Sequence, residues 1–121
     1  MMAELNHTIV WATDRDASAE FLAGVLGLPV GAETEPFLPV VLGNGVTLDF
    51  AQANEVAGQH YAFLVSEAEF DAALARLTAS GTAIYADPFH RTAGINGMFG
   101  GRGCYFDDPD GHNMELLTKA G

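Results

Sequence analysis

Two histidines recur in matching contexts, Asn6-His7-Thr8-Ile9-Val10 and Gln59-His60-Tyr61-Ala62-Phe63. Each is followed by a carboxylate in a second matched pair, Gly45-Val46-Thr47-Leu48-Asp49-Phe50 and Gly111-His112-Asn113-Met114-Glu115-Leu116. Imidazole nitrogens and carboxylate oxygens together suit a divalent Zn, Ni, Co, Mn or Fe(II) ion. The lone cysteine, Cys104, supplies no thiolate set for a structural zinc knot. Two histidines and two carboxylates that leave coordination positions open to water and substrate form the catalytic kind of site. Taken singly, each histidine is an ordinary strand residue and each carboxylate an ordinary solvated one. Their recurrence in register is what marks them as a set. Asp49 is one methylene shorter than Glu115, so a triad of His7, His60 and Glu115 with Asp49 behind it is the alternative.

The elements that must position these groups also repeat. Leu5 to Ala12 reads as a buried strand. Asp16 is placed to cap a helix whose apolar residues Phe21, Leu22, Val25 and Leu26 share a face, and Gly27 ends it. Glu33 to Leu42 reads as a strand interrupted by Pro36 and Pro39, and Asn44-Gly45 is a hairpin turn into a strand from Val46 to Gln52. In the second half Tyr61 to Val65 is a strand, and Ser66 with Glu69 forms a capping box. A helix with Phe70, Ala73, Leu74 and Leu77 on one face follows, stopped by Gly81. Strands are expected at Thr82 to Ala86, Cys104 to Phe106 and Asn113 to Thr118, with a tight turn at Asp108-Pro109-Asp110-Gly111. Ala19-Glu20-Phe21 against Ala68-Glu69-Phe70 is a third echo between the halves. The carboxylates lie further apart than the histidines, and the longer second helix and a glycine-rich loop absorb the extra residues. Such a duplication would set equivalent residues about a pseudo-twofold axis.

Strand alternation sorts the side chains. Val46, Leu48 and Phe50 form the apolar face of one strand, with Thr47, Asp49 and Ala51 opposite. Met114 and Leu116 oppose Asn113, Glu115 and Leu117 in the other. Both carboxylates therefore point away from the face that a helix covers. His60 lies opposite Tyr61, Phe63 and Val65, whereas His7 shares its side with Leu5, Ile9 and Trp11. Trp11, Phe50, Tyr105 and Arg102 are the residues expected to line a substrate pocket. The stretch Ala93 to Gly101 reads as a lid or pocket rim or, equally, as an inert surface loop. His90 and Arg91 could reach the pocket from that loop, with the solvated surface as the favoured alternative; His112 is expected to shape its turn, and Cys104 to be a small buried apolar residue.

Composition narrows the class. At 121 residues the chain is expected to form one domain, with modules at about 1–53 and 57–121. Five basic residues against sixteen acidic ones give a formal charge of −11, a field that repels phosphate backbones and anionic membranes. Neither nucleic acid nor a membrane is expected as a partner. No apolar run approaches a membrane span, and the start lacks a signal segment, so a cytoplasmic protein is the expectation.

The strand–helix–strands unit used twice, with Gly103-Cys104-Tyr105-Phe106-Asp107-Asp108-Pro109-Asp110-Gly111-His112-Asn113-Met114-Glu115-Leu116, resembles the vicinal oxygen chelate superfamily. That group includes glyoxalase I, fosfomycin-resistance enzymes, extradiol dioxygenases and bleomycin-binding proteins. The resemblance covers essentially the whole chain. It implies an α+β fold in which two βαβββ modules form a cupped, half-open mixed β-barrel flanked by helices, and it implies a homodimer. It also implies metal ligands at His7, His60 and Glu115. The fourth ligand in glyoxalase I is a glutamate; here that position holds Asp49, a departure that argues against glyoxalase I activity itself. Few basic residues are present to grip a glutathione carboxylate or a phosphonate.

The function that follows is a divalent-metal-dependent enzyme of lyase, isomerase or ring-cleaving dioxygenase type, acting on a small oxygenated metabolite. One metal ion would bind two neighbouring substrate oxygens, with Glu115 or Asp49 as the base. The rival is a protein that sequesters an antibiotic or aromatic compound in the same cup, conferring resistance without turnover. Bleomycin-binding relatives typically lack the metal ligands, so their retention here favours chemistry.

Overall fold

The computed structural model describes residues 2–121. They fall into two compact units that divide between Val56 and Ala57. The first unit runs β1 (His7–Ala12), α1 (Arg15–Leu26), β2 (Leu38–Val41) and β3 (Thr47–Gln52). Its sheet has the order β1-β3-β2, with β1 parallel and β2 antiparallel to the central β3. Hydrophobic alternation decides the faces. Val10, Ala12, Val40, Leu48 and Phe50 are buried on the side that α1 covers with Leu22, Ala23 and Val25. His7, Ile9, Trp11, Thr47 and Asp49 occupy the other side.

Helix α1 begins one step earlier than the expected cap. Asp14, not Asp16, has the extended backbone that an N-cap needs, and its carboxylate accepts from the Ala17 amide at 3.1 Å. Asp16 falls in the first turn, where its charge still suits the helix dipole. Gly27 closes the helix in the left-handed conformation, φ 70°. The expected long strand from Glu33 shrinks to β2, and Thr34 and Phe37 form only an isolated bridge upstream. Pro39 is tolerated inside β2 because this is an edge strand with β3 as its one partner. The Asn44-Gly45 turn forms as expected, with Gly45 at φ 87°.

The second unit repeats the plan with β4 (His60–Leu64), α2 (Glu67–Ala79), β5 (Gly103–Asp107) and β6 (Asn113–Leu117). Its sheet order is β4-β6-β5, again with one parallel and one antiparallel pair around the central strand. The capping box at α2 is complete: Ser66 Oγ accepts from the Glu69 amide at 3.1 Å, and the Glu69 carboxylate accepts from the Ser66 amide at 2.8 Å. Phe63, Phe70, Leu77, Cys104, Phe106, Met114 and Leu116 are buried. Burial pushes the Cys104 thiol up to about 11, in line with its part in the core.

No strand forms at Thr82 to Ala86. Only Tyr85 pairs there, in isolated bridges to Tyr105 and Ala93. The chain leaves the β5 edge at once into the turn that starts at Asp87, so a ladder cannot propagate. The glycine-rich stretch is tethered at Asn96, whose backbone bridges Gly103 while its side chain donates to Ala86 O at 2.9 Å and accepts from the Met98 amide at 3.0 Å. Ser66→Ala removes one half of the α2 capping box and is expected to lower stability by about 1 kcal/mol. A shift of the urea unfolding midpoint without a change in slope checks this.

Candidate functional site

The register of the two sheets turns the sequence repeat into a structural one. His7 stands opposite Thr47, two residues before Asp49; His60 stands opposite Asn113, two residues before Glu115. Each histidine therefore shares a sheet face with the carboxylate of its own unit. In the second unit the two meet: His60 Nε2 lies 2.9 Å from Glu115 Oε1. Against an ionised Glu115 the imidazole N–H is the donor. The Glu115 side chain is 8% exposed and that of His60 49%, so a buried carboxylate faces a ring that opens to solvent.

The signature around the Asp108 turn explains why the pair forms. Asp108 Oδ1 accepts from the Asp110 and His112 amides, and Gly111 takes φ 79° to complete the turn. His112, fully buried, accepts the Gln59 amide proton at Nδ1 over 3.0 Å, and the Asn113 amide donates to Gln59 O at 2.8 Å. Gln59 directly precedes His60, so these two bonds set the register of β4 on β6. Gly58 passes so close to Gly111 that a Cβ there would sit 3.0 Å from the Gly111 oxygen. His112 thus does more than shape its turn, because it aligns His60 with Glu115.

Tyr105 completes the face. It stands opposite Glu115 in the β5–β6 ladder, and its ring lies 5.9 Å from that of His60. Its hydroxyl bonds to Glu115 and lies 3.9 Å from the Met98 sulfur. Burial first, and then the Glu115 charge, hold the phenol above its usual range, so it stays protonated.

The other expected residues are placed differently. His7 and Asp49 share a face but no hydrogen bond or ion pair joins them among the described residues; His7 Nδ1 instead pairs with Asn6 Oδ1 at 2.8 Å. The shorter aspartate does not span what glutamate spans in the second unit. Trp11 is half-exposed on the His7 face. Phe50 is fully buried on the opposite side of β3 from Asp49, a core residue and not a pocket one. Arg102 is committed to α2: it bonds Glu67 and Asp71 at 2.8 and 2.9 Å, and its guanidinium lies 4.6 Å from the centre of the Phe70 ring. Among the described residues, no three His, Cys, Asp or Glu side chains are gathered where one ion would reach them all. Two of the four expected ligands are brought together.

Residues 4–116 match the model of the Glyoxalase/Bleomycin resistance protein/Dioxygenase superfamily. The chain belongs to this superfamily. Within it, the solved structure of oxidase ChaP-H2 is similar at 52% identity and a TM-score of 0.96, covering 99% of this chain and 96% of the other. The glutathione transferase FosA of Serratia marcescens is 29% identical over 96% of this chain and 81% of its own length. The fosfomycin resistance protein FosX of Mesorhizobium loti shares the fold, with a TM-score of 0.75 at 23% identity over 99% of this chain and 95% of that one. The two helices and two mixed three-stranded sheets are the superfamily's elements.

His90 is the site neighbour that sequence reasoning placed at the solvated surface. It is half-buried, stacks on Tyr85 and bonds Asn113, the residue opposite His60. No spacing signal marks it, because the contacts depend on how the turn after Tyr85 folds back. His112→Ala should leave the Gln59 amide without its His112 acceptor and open a cavity at a buried position, costing about 2–4 kcal/mol. Hydrogen exchange is expected to show the Gln59 amide losing protection while the β5–β6 ladder keeps its own.

Proposed function

We propose that this chain is a divalent-metal-dependent oxidase acting on a small oxygenated molecule, with the metal held by His60 and Glu115 and completed by His7 and Asp49. The observation that carries this reading is the His60–Glu115 contact at 2.9 Å on one sheet face. An imidazole nitrogen and a carboxylate oxygen presented side by side are a donor set that fits Zn, Ni, Co, Mn or Fe(II). His7 and Asp49 occupy the same register positions in the first sheet, which is why they are assigned as the further donors. The 52% identity to oxidase ChaP-H2 over nearly the whole of both chains favours oxidation over the thiol transfer named for FosA, which is 29% identical. Arg15 and Arg102, two of the five basic residues, are tied to neighbouring carboxylates, which also disfavours a strongly anionic substrate.

A divalent ion held at this site would supply Lewis acidity toward the substrate and, as Fe(II), electrons to dioxygen. The chain's own groups do the rest. To hold the ion, His60 would present Nε2 without its proton, the N–H being carried on Nδ1, and Glu115 would turn from His60 toward the ion. Tyr105, kept protonated by burial and by Glu115, gives its one O–H to that carboxylate and so orients it on the sheet face. Asp49, half-buried, or Glu115 would leave the ion to take a substrate proton. The active species is read as a cytoplasmic homodimer.

Elemental mass spectrometry of untagged protein tests the assignment. About one transition metal per chain is expected, with His60→Ala weakening metal affinity by at least about 100-fold. Oxygen uptake by the Fe(II)-loaded protein over a panel of diphenols and hydroxyketones then reads the activity. Absence of bound metal after incubation with each candidate cation would overturn the enzyme reading in favour of a sequestering protein.

A further inference from the structure

His90 has φ 57°, in the left-handed region that few side chains adopt. Among the described residues only His90 and Phe99 do so without being glycine. The turn itself accounts for the backbone. The His90 amide donates to Asp87 O at 3.2 Å, and the Asp87 carboxylate accepts from the Arg91 and Thr92 amides at 2.9 and 2.8 Å. A glycine would satisfy that geometry with less strain, so what residue 90 adds is its imidazole.

The ring is held on three sides. It lies parallel to Tyr85 with centroids 4.3 Å apart and planes 6° apart. Nε2 is 2.9 Å from Asn113 Oδ1, and Nδ1 is 3.4 Å from Asp107 Oδ2. Asn113 also donates to Pro88 O at 3.0 Å, which turns its amide oxygen toward His90 and makes Nε2 the donor. The partners matter because of their register. Asn113 and Asp107 stand in the cross-strand row of His60, and Tyr85 bridges Tyr105 in the row of Glu115. His90 thus touches both rows that carry the site.

We propose that His90 is a positioning residue for the ligand of this site: through Asn113 and Tyr85 it seats the turn from Asp87 to Thr92 on the His60–Glu115 face, as a wall against which an oxygen-chelating substrate is oriented. This rests on the metal-site reading given above. It concerns ligand orientation and leaves the metal donors untouched.

Nitrocatechol, a chromophoric chelator with two adjacent oxygens, separates the two. It is titrated into Co(II)-loaded wild type, His90→Gly, Asn113→Ala and the double variant. Glycine keeps the backbone conformation while removing the ring. Co(II) affinity is expected to stay within about twofold throughout, while probe affinity falls at least about tenfold in each single variant and no further in the double. Unchanged probe affinity in His90→Gly overturns the proposal, as does a matching loss of Co(II) affinity, which would mark a merely structural residue. A wild type that binds Co(II) but not the probe overturns it too. A wild type that fails to bind Co(II) overturns the metal-site reading and this inference with it.

Discussion

The parallel ladder between β4 and β6 is the constraint on which the site depends. Parallel strands cannot be joined by a tight turn, so nothing local in the chain sets their register. Here it is set at the strand ends, where His112 accepts the Gln59 amide and Gln59 O receives the Asn113 amide. A slip of one residue would send His60 or Glu115 to the opposite face. Placing a buried histidine at the turn therefore converts a loop motif into the alignment of His60 with Glu115.

The face so built is uneven by design of its parts. Glu115 is buried, Tyr105 is buried against it, and His60 opens to solvent. A carboxylate that faces an imidazole and a phenol keeps its polar partners while the opposite face of the sheet is apolar. The first unit uses the same topology and the same register, yet its histidine turns to Asn6 and its aspartate stays apart. One methylene separates a contact from its absence. The repeat thus supplies two equivalent frameworks with unequal contents.

Ion pairs occupy two of the five basic residues. Arg15 gathers Asp16, Glu33 and Glu35, and Arg102 gathers Glu67 and Asp71, in a chain with a formal charge of −11. These exposed pairs contribute little to stability individually. Their consequence is chemical, since they leave the His60–Glu115 face with donors for a cation and a neutral hydroxyl.

Much of this was legible in the residues themselves. Alternation in Thr47 to Gln52 and Asn113 to Leu117 assigned the carboxylates to the face away from the apolar one, because strand side chains alternate whatever surrounds them. Caps such as Ser66 with Glu69, and left-handed positions such as Gly27 and Gly45, were equally readable, being local geometry. The paired histidines and carboxylates announced a repeat. Tertiary structure decided what the linear pattern left open: that Asp14 precedes Asp16 as the cap, that Thr82 to Ala86 is cut short by a turn, and that Arg102 is claimed by α2. It also drew His90 from an expected surface position onto Asn113. The Arg102 and His90 contacts depend on partners distant in sequence, which a linear pattern does not encode, whereas the Asp14 cap and the Asp87 turn are local choices among several similar polar residues.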